Sequence, residues 1–363
     1  RTMRGDRLHL AFFGRRNAGK SSLINALTGQ PVAIVSDTPG TTTDPVYKSM
    51  ELLPLGPVVL IDTAGMDDDA GLLGAQRIER SRQVMSRTDL ALLTVPCDAG
   101  DLSYEEGLLR ELEGADIPVL LVLTKTDLPL SEPLRQWLSG RVFVRVSALG
   151  GQGVDELRQR IQEVAPRHWE PEFLKDLIQP GEVVVLVTPI DLGAPKGRLI
   201  MPQVKALRDV LDGDGIPVMC KERELPGALA ALKDPPRLVV TDSQVFPQVA
   251  ADVPPGILLT SFSILSARQK GDLPAPVEGA RVLDSLRPGD RVLIAEACSH
   301  HPLEDDIGRV KIPRWLDAHV GGGLDIRTVP GCAFPPDLES YKLVVHCGGC
   351  TLNRREMLHR QGV

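Results

Sequence analysis

Residues 14–22 read Gly-Arg-Arg-Asn-Ala-Gly-Lys-Ser-Ser. This stretch has the pattern G-x-x-x-x-G-K-[ST], in which a glycine-rich loop wraps the phosphates of a nucleotide. An apolar run of strand length, residues 8–13, precedes it, and residues 21–27 have helical spacing. The motif therefore lies between a strand and a helix, which is the context that it requires. It predicts a nucleotide phosphate site on an α/β fold.

The residue types of this loop match what phosphate binding needs. Gly14 and Gly19 let the backbone curl so that successive N–H groups face the β-phosphate, and the following helix adds its partial positive charge. Lys20 is expected to reach the β- and γ-phosphate oxygens as a catalytic group, and Ser21 to ligate Mg²⁺. The other nucleotide-binding candidates of the loop are Asn17, Ala18 and Ser22.

Two further segments are predicted to surround the γ-phosphate. Asp62-Thr63-Ala64-Gly65 follows the apolar run 57–61, which places Asp62 near Mg²⁺ and the Gly65 N–H near a γ-phosphate oxygen. Residues 37–44 form a threonine-rich loop, a candidate first switch in which Thr42 would complete the Mg²⁺ shell. Thr42 and Gly65 therefore join Lys20 as candidate catalytic residues.

The base is predicted to be guanine. Thr124-Lys125-Thr126-Asp127 follows the apolar run 117–123, and the Asp127 carboxylate can accept hydrogen bonds from guanine N1–H and the 2-amino group. The stem of Lys125 can lie over the purine face. Ser147 and Ala148 follow the apolar run 141–146, and the Ala148 N–H can donate to guanine O6.

Together these motifs resemble the TrmE–Era branch of translation-factor-like GTPases. Asn17 in the loop and Met66 after Gly65 carry the resemblance. Ras-type enzymes have a glutamine after that glycine to orient the attacking water, and Met66 cannot do this. The resemblance implies a K⁺ ion held partly by Asn17, and slow intrinsic turnover. Thr124 replaces the asparagine of the family's N-K-x-D motif. We expect this replacement to change the affinity for guanine more than the selection of guanine over other bases.

Composition limits the remaining choices. The chain has 363 residues and a formal net charge of −7, without a basic stripe of the kind that nucleic-acid binders carry. No apolar run approaches the length of a transmembrane helix, and no signal peptide is expected ahead of the first strand. We therefore expect a cytoplasmic protein whose six cysteines are reduced.

The predicted architecture is α/β, with a doubly wound P-loop GTPase sheet followed by two smaller α/β domains. The GTPase domain is assigned to residues 1–167, with a closing helix at 155–164. A middle domain is assigned to 168–265. It has βαβαβ-like patterning and no recognisable chemistry, which favours an assembly or spacer role. A third domain is assigned to 266–363.

The third domain carries two cysteine motifs, Cys298-Ser299-His300 and His346-Cys347-Gly348-Gly349-Cys350, each after a predicted strand. Because the carboxyl ends of parallel strands share one edge, the three thiols can converge. Three thiols suit a 4Fe–4S cluster with one open position, or Zn²⁺ with His300 or His346 as fourth ligand; a site without metal is the third alternative. Structural thiols are predicted at three isolated positions: Cys97, Cys220 and Cys332.

The order of GTPase, spacer and C-x-H…H-C-x-x-C resembles the HydF family, the maturation GTPases of iron–iron hydrogenases. The resemblance implies a 4Fe–4S cluster on Cys298, Cys347 and Cys350, and a homodimer formed through the middle domain. It also implies a scaffold role, in which a precursor of the two-iron subsite is built with two radical-SAM maturases and passed to apo-hydrogenase. The alternative is a ribosome- or RNA-associated GTPase with a structural zinc site, against which the acidic composition argues.

Overall fold

The chain divides into two units, Arg1–Trp169 and Glu170–Val363. The structure is a computed structural model that describes residues 6–29, 45–53, 55–63, 82–148, 150–166, 172–190, 197, 199–296, 307–330, 334–347, 349 and 352–362. Within these ranges no helix is both long enough and apolar enough to cross a membrane.

The first unit is a doubly wound sheet with the strand order β2-β3-β1-β4-β5-β6, in which β2 alone runs antiparallel to its neighbour. The strands are β1 (Leu8–Phe13), β2 (Val46–Leu52), β3 (Gly56–Asp62), β4 (Leu90–Pro96), β5 (Val119–Thr124) and β6 (Phe143–Arg145). The helices are α1 (Lys20–Thr28), α2 (Ser103–Gly114), α3 (Glu132–Trp137) and α4 (Val154–Val164).

Helices cover both faces of this sheet, which explains why β1 and β4 are apolar along almost their whole length. On one face Leu10 and Phe12 of β1 pack in a core with Leu23 of α1 and Leu157 of α4. On the other face the alternate residues of β1, such as Ala11, lie in a core with α2 and α3. The predicted doubly wound α/β sheet of the first unit is confirmed.

The second unit contains two parallel sheets. The first has the order β10-β9-β7-β8. Its strands are β7 (Val183–Val187), β8 (Ile216–Cys220), β9 (Leu238–Thr241) and β10 (Leu258–Ser261), and its helices are α5 (Met201–Asp212), α6 (Leu225–Ala231), α7 (Phe246–Asp252) and α8 (Phe262–Lys270). The second sheet has the order β12-β11-β13. Its strands are β11 (Arg291–Glu296), β12 (Asp325–Pro330) and β13 (Leu343–His346), accompanied by α9 (Pro274–Ala280), α10 (Ile312–Val320) and α11 (Arg354–Gln361).

Two helices of the C-terminal region have starts that simple helical spacing does not define. A π-helical turn at Ile307–Lys311 precedes the regular helix α10. Helix α11 begins at Arg354 because the Asn353 side chain accepts a hydrogen bond from the Glu356 N–H at 3.0 Å.

Helix α8 bears on the predicted limit between the second and third domains. It is one continuous helix across residues 265 and 266, and its Phe262 and Leu265 pack into the core beneath β7 and β9. The domain limits remain a prediction, and we propose that the middle domain includes all of α8.

Candidate nucleotide site and cysteine loop

The loop between β1 and α1 has the tight geometry that its glycines suggest. Gly14 has φ +139°, and a β-carbon there would lie 2.4 Å from the Thr94 carbonyl oxygen on β4. No side chain fits at this point, so the loop passes against the neighbouring strand only as glycine. Asn17 has φ 60°, a left-handed conformation that asparagine tolerates better than most residues.

Lys20 is held inside the loop. The side chain is buried, and its ammonium donates to the Arg15 carbonyl at 2.9 Å and to the Gly14 carbonyl. Ser21 and Ser22 follow in the first turn of α1 and are exposed. One loop therefore brings together the Lys20 ammonium, the exposed Ser21 and Ser22 and the N-terminus of α1. These are the groups that a triphosphate with Mg²⁺ needs.

An ion pair with α2, which sequence reasoning missed, anchors the loop. Arg15 Nε donates to Glu105 at 2.9 Å and 3.2 Å, and an Arg15 terminal nitrogen donates to Asp101 at 3.2 Å. Burial works against the charge of Arg15, but the hydrogen bonds and charges of Glu105 and Asp101 outweigh it and raise the Arg15 pKa. Glu105 is fully buried. Its sequence context, an acidic first helical turn, gave no sign of this role.

Asp62 ends β3 beside the phosphate loop. It is buried, and its Cα pairs in register with Phe12 on β1. The Thr63 hydroxyl donates to the Phe12 carbonyl at 2.6 Å, which fixes the chain as it leaves the strand. The rest of the predicted γ-phosphate region lies outside the described residues: Thr42 with the loop 37–44, Gly65 and Met66.

The candidate base site is tied to the phosphate loop through Thr124. This residue ends β5, is buried, and donates its hydroxyl to the Ala18 carbonyl at 2.5 Å. Lys125 follows in a left-handed conformation with φ 51°, and Asp127 is exposed two residues later. The threonine that departs from the family motif therefore makes a direct link between the two nucleotide-binding loops.

The loop after β6 completes this edge. The Ser147 N–H donates to the Gln152 carbonyl at 3.0 Å, and the Ser147 hydroxyl accepts from the Gly150 N–H at 3.2 Å. These bonds hold Ser147 and Ala148 in a turn before α4. The structure thus brings the described parts of the phosphate, Asp62, base and Ser147–Ala148 segments to one edge of the sheet, since each follows the carboxyl end of a parallel strand.

The second candidate site is the cysteine loop, which follows β13 and whose described residues are Cys347, Gly349 and Leu352. Cys347 is half-buried and is not in a disulfide, and its N–H donates to the Ala295 carbonyl of β11 at 3.0 Å. Gly349 has φ 58°, and a β-carbon there would lie 2.3 Å from the Met357 methyl carbon. The Leu352 N–H donates to the Gly349 carbonyl at 3.0 Å shortly before α11 begins.

His346 has both ring nitrogens engaged by the protein. Its Nδ1 lies 2.6 Å from the Cys347 carbonyl, to which only a protonated nitrogen can donate, and its Nε2 accepts from Arg360 Nε at 2.7 Å. Burial lowers the His346 pKa and the Arg360 charge lowers it further, against the opposing effect of the bond to Cys347. In this arrangement His346 can ligate a metal only by giving up one of these partners.

The other predicted metal ligands, Cys298, His300 and Cys350, lie outside the described residues, as does Cys332. Within the described ranges, no group of three or more His, Cys, Asp or Glu side chains forms a metal site. Cys97 and Cys220 are buried, as predicted for structural thiols. Burial raises the pKa of both thiols, for Cys220 to about 11.

A second charged pair lies at the end of β11, shortly before Cys298 in the sequence. Glu296 is buried at the end of this strand and accepts from Arg309 of the π-helical turn through both carboxylate oxygens, at 2.9 to 3.2 Å. Sequence reasoning missed this pair too. A π-helical turn inside a helical pattern leaves no signal in hydrophobic periodicity.

Comparison with known proteins agrees with the fold and with a GTPase domain in the first unit. Residues 9–125 match a family model described as 50S ribosome-binding GTPase. Residues 173–271 and 274–363 match the models of the hydrogen maturase F dimerization domain and tetramerization domain. The fold and the nucleotide edge thus define a P-loop GTPase domain joined to two further α/β domains.

The chain belongs to the hydrogen maturase F family. Its GTPase part is similar to tRNA modification GTPase MnmE of Methylorubrum populi, with 42% identity over 44% of this chain and 33% of that protein. MnmE of Bacillus subtilis is 38% identical over 43% of this chain and 34% of that protein. The chain therefore spans about a third of the length of these curated relatives.

Among solved structures, the G domain of the T. maritima FeoB iron transporter is 24% identical. The match covers 44% of this chain and 98% of the FeoB G-domain chain, with a TM-score of 0.33. Aquifex aeolicus Era is 18% identical and covers 70% of this chain and 93% of that one, with a TM-score of 0.37.

Proposed function

We propose that this protein is a GTP-hydrolysing scaffold in the maturation of iron–iron hydrogenase. One observation carries the proposal: two hydrogen maturase F domains, at residues 173–271 and 274–363, follow a GTPase domain on the same chain. The nucleotide edge supplies the switch, and the cysteine loop offers a place for an iron–sulfur cluster. In this account GTP serves as a timing or release signal rather than as a metabolic substrate.

GTP hydrolysis would proceed by in-line attack of water on the γ-phosphate. Lys20 would exchange its loop carbonyls for the β- and γ-phosphate oxygens, and Ser21 and Asp62 would hold Mg²⁺ directly or through its water shell. Thr42 and Gly65 would contribute from the two switch segments. Stabilisation of charge by preorganised groups is the dominant effect available here, since no side chain is assigned as a base.

K⁺ activation is part of the same proposal. A K⁺ ion would sit beside the β- and γ-phosphates with the Asn17 amide oxygen among its ligands. The proposal rests on the residue type at position 17, because a side-chain amide oxygen is a ligand that hard cations accept. Slow turnover with K⁺ is consistent with a switch.

The cysteine loop fits an iron–sulfur cluster in its described part. Cys347 is half-buried and outside any disulfide, the next described residue is a glycine that allows close backbone approach, and a buried cation, Lys270, donates to the loop. Cys298, Cys347 and Cys350 would hold a 4Fe–4S cluster, which would supply an iron with an open position. The sequence allows His300 or His346 as fourth ligand, but the contacts of His346 to Arg360 and Cys347 favour His300.

The partners follow from the proposed role. The protein would carry a precursor of the two-iron subsite, built with two radical-SAM maturases, and pass it to apo-hydrogenase in the cytoplasm. The matches to dimerization and tetramerization domains support self-association, with a homodimer through the middle domain as the basic unit. No nucleic acid or membrane takes part in this scheme.

A ribosome- or RNA-associated GTPase with a structural zinc site is the alternative. It is favoured by the description of the GTPase family model and by the MnmE relatives. Those matches cover only the GTPase part, however, and the formal net charge of −7 does not suit an RNA partner.

The test is hydrogenase activation with purified components. Apo-hydrogenase is incubated with the two radical-SAM maturases, GTP and this protein, and hydrogen evolution is measured. We expect activation with the wild type and loss of activation with Lys20→Ala, which should hydrolyse GTP at least about a hundredfold more slowly. Cys347→Ser should lose activation while keeping GTP hydrolysis. Wild-type protein that fails to activate the hydrogenase, or full activation by Cys347→Ser, would refute the scaffold role.

A further inference from the structure

Lys270, the last residue of α8, is fully buried in the second unit. Lysine is almost never fully buried unless its charge is compensated, because removing an ammonium from water is costly. Its ammonium donates to the Leu352 carbonyl at 2.9 Å and to the Gly349 carbonyl at 3.2 Å. Both acceptors belong to the cysteine loop. A residue of the middle domain thus places its charge directly against the Gly349 and Leu352 carbonyls, which follow Cys347 in the chain.

The residues at and just after the end of α8 also bond to α11, which follows the cysteine loop. Arg354, the first residue of α11, donates to the Gln269 carbonyl at 2.8 Å and to the Gly271 carbonyl at 3.3 Å. The Asp272 N–H donates to the Gln361 side chain at 2.7 Å. Lys270 therefore lies within a set of hydrogen bonds that joins the end of α8 to the cysteine loop and α11.

The other end of this contact is anchored in the middle domain. Phe262 and Leu265 of α8 pack in the core beneath β7 and β9. The Gln269 side chain accepts from Lys205 of α5 at 2.6 Å. Any movement of α8 against its sheet would be transmitted through Lys270 to the cysteine loop.

The charge has a second effect. Thiolates are favoured next to a cation, and an anionic cluster is stabilised by positive charge in a medium that water does not screen. The reduced form of a cluster carries one more negative charge than the oxidised form, so a buried cation beside it raises its reduction potential.

We infer that Lys270 is a positioning residue of the cluster site. Its ammonium fixes the cysteine loop through the Gly349 and Leu352 carbonyls and supplies positive charge beside the thiolates. The middle domain is therefore part of the cluster site. The inference rests on the proposed cluster at Cys298, Cys347 and Cys350. It gives the dimerization domain a direct mechanical and electrostatic link to the cysteines, which the sequence does not reveal.

The test compares Lys270→Met, which keeps the stem and removes the charge, with Lys270→Arg, which keeps the charge and changes the geometry. Lys221→Met is the control, because Lys221 is half-exposed and pairs with Glu224 at 2.8 Å within the middle domain. In the metal-free full chain, alkylation of Cys347 is followed by peptide mass spectrometry as a function of pH, which separates the access of the loop from the fraction of thiolate. We expect the limiting rate of the thiolate in Lys270→Met to be on the order of tenfold faster than in wild type, because the loop opens more easily.

After anaerobic reconstitution, the cluster potential is measured by EPR-monitored titration. We expect Lys270→Met to have a lower potential than wild type and Lys270→Arg to stay close to it, a contrast that a merely structural role would not produce. GTP hydrolysis should be unchanged in all three variants. Equal Cys347 alkylation rates and equal potentials in Lys270→Met, Lys221→Met and wild type would overturn the inference.

A failure of the proposed function and a failure of the role of Lys270 give different results. Wild-type protein that takes up no cluster refutes the proposed function, while the alkylation rates of the metal-free chain still test the role of Lys270. If Lys270→Met does not fold, amide hydrogen exchange of the wild type decides. We expect residues 262–271 and 347–354 to be protected alike. A cysteine loop that exchanges at unprotected rates beside a protected α8 would contradict the inference.

Discussion

Thr124 shows how one residue joins the two halves of the nucleotide site. Its hydroxyl donates to the Ala18 carbonyl at 2.5 Å, and both residues are buried. A base loop that holds the phosphate loop through this bond keeps the distance between guanine and phosphates fixed before the nucleotide arrives. Preorganisation of this kind contributes to affinity rather than to the choice of base.

We therefore predict that Thr124→Val weakens GTP binding. Valine keeps the shape but leaves the Ala18 carbonyl buried without this donor, which should cost about 1–2 kcal/mol, or roughly tenfold in the dissociation constant. A fluorescent GTP analogue titrated against the purified protein measures it. Thr126→Val, in the same loop, is the control. Thr124→Val that binds as tightly as Thr126→Val would show that the link is not needed.

Asn17 allows the proposed K⁺ site to be tested without disturbing the loop. Glycine also adopts a φ of 60°, so Asn17→Gly keeps the backbone and removes only the amide oxygen. We predict that replacing Na⁺ with K⁺ speeds GTP hydrolysis by wild type about tenfold or more, and that Asn17→Gly loses most of this stimulation while still binding GTP. Phosphate release measured in both salts decides. Equal stimulation of wild type and Asn17→Gly would contradict the role of Asn17.

At the scale of elements, α2 stabilises the phosphate loop through Glu105. The carboxylate is fully buried and receives Arg15, whose side chain is 39% exposed. Solvent screening at Arg15 reduces what the pair contributes, but removing the charge from Glu105 leaves a cation against a buried neutral group. The helix and the loop should therefore weaken together.

We predict that Glu105→Gln lowers the free energy of unfolding of the GTPase domain by about 1–2 kcal/mol. Urea denaturation followed by circular dichroism, with GTP binding measured in parallel, detects both the loss of stability and the looser loop. Glu106→Gln is the matched control, since Glu106 is half-exposed and pairs with Arg110 at 2.9 Å within the same helix. If the two variants are equally stable, the Arg15–Glu105 pair does not anchor the loop.

The elements that could be predicted from the sequence are those that a single local rule determines. The apolar run 8–13 became β1 without change, and the closing helix predicted over 155–164 is α4 at Val154–Val164. Strand β1 is a continuous apolar run buried on both faces, and α4 is buried along a helical period, so the hydrophobic pattern alone defines them.

Other features depend on contacts between distant segments, and the sequence does not show these. The π-helical turn at 307–311 accompanies the pair between Arg309 and Glu296, and the start of α11 is set by the Asn353 cap. In the candidate site, the residue types and their common edge were predictable from the motifs. The long-range partners Glu105 and Lys270 were not, because a buried charge carries no sequence signature of its partner.

At the scale of the whole molecule, a candidate nucleotide site and the cysteine loop lie in two different units of one chain. The GTPase unit resembles many GTPases in its motifs, whereas the second unit matches only domains described for hydrogen maturase F among the family models found. The specific role therefore resides in the second unit. Lys270 gives that unit a link between its assembly domain and its cysteines, so assembly and cluster chemistry are expected to influence each other.

The measurement that tests the account most directly is metal analysis with EPR on the anaerobically reconstituted full chain. We predict a brown protein with about four iron atoms per chain and a 4Fe–4S signal after reduction, lost in each of the variants Cys298→Ser, Cys347→Ser and Cys350→Ser. A colourless protein that holds one zinc ion per chain and takes up no iron would contradict the account.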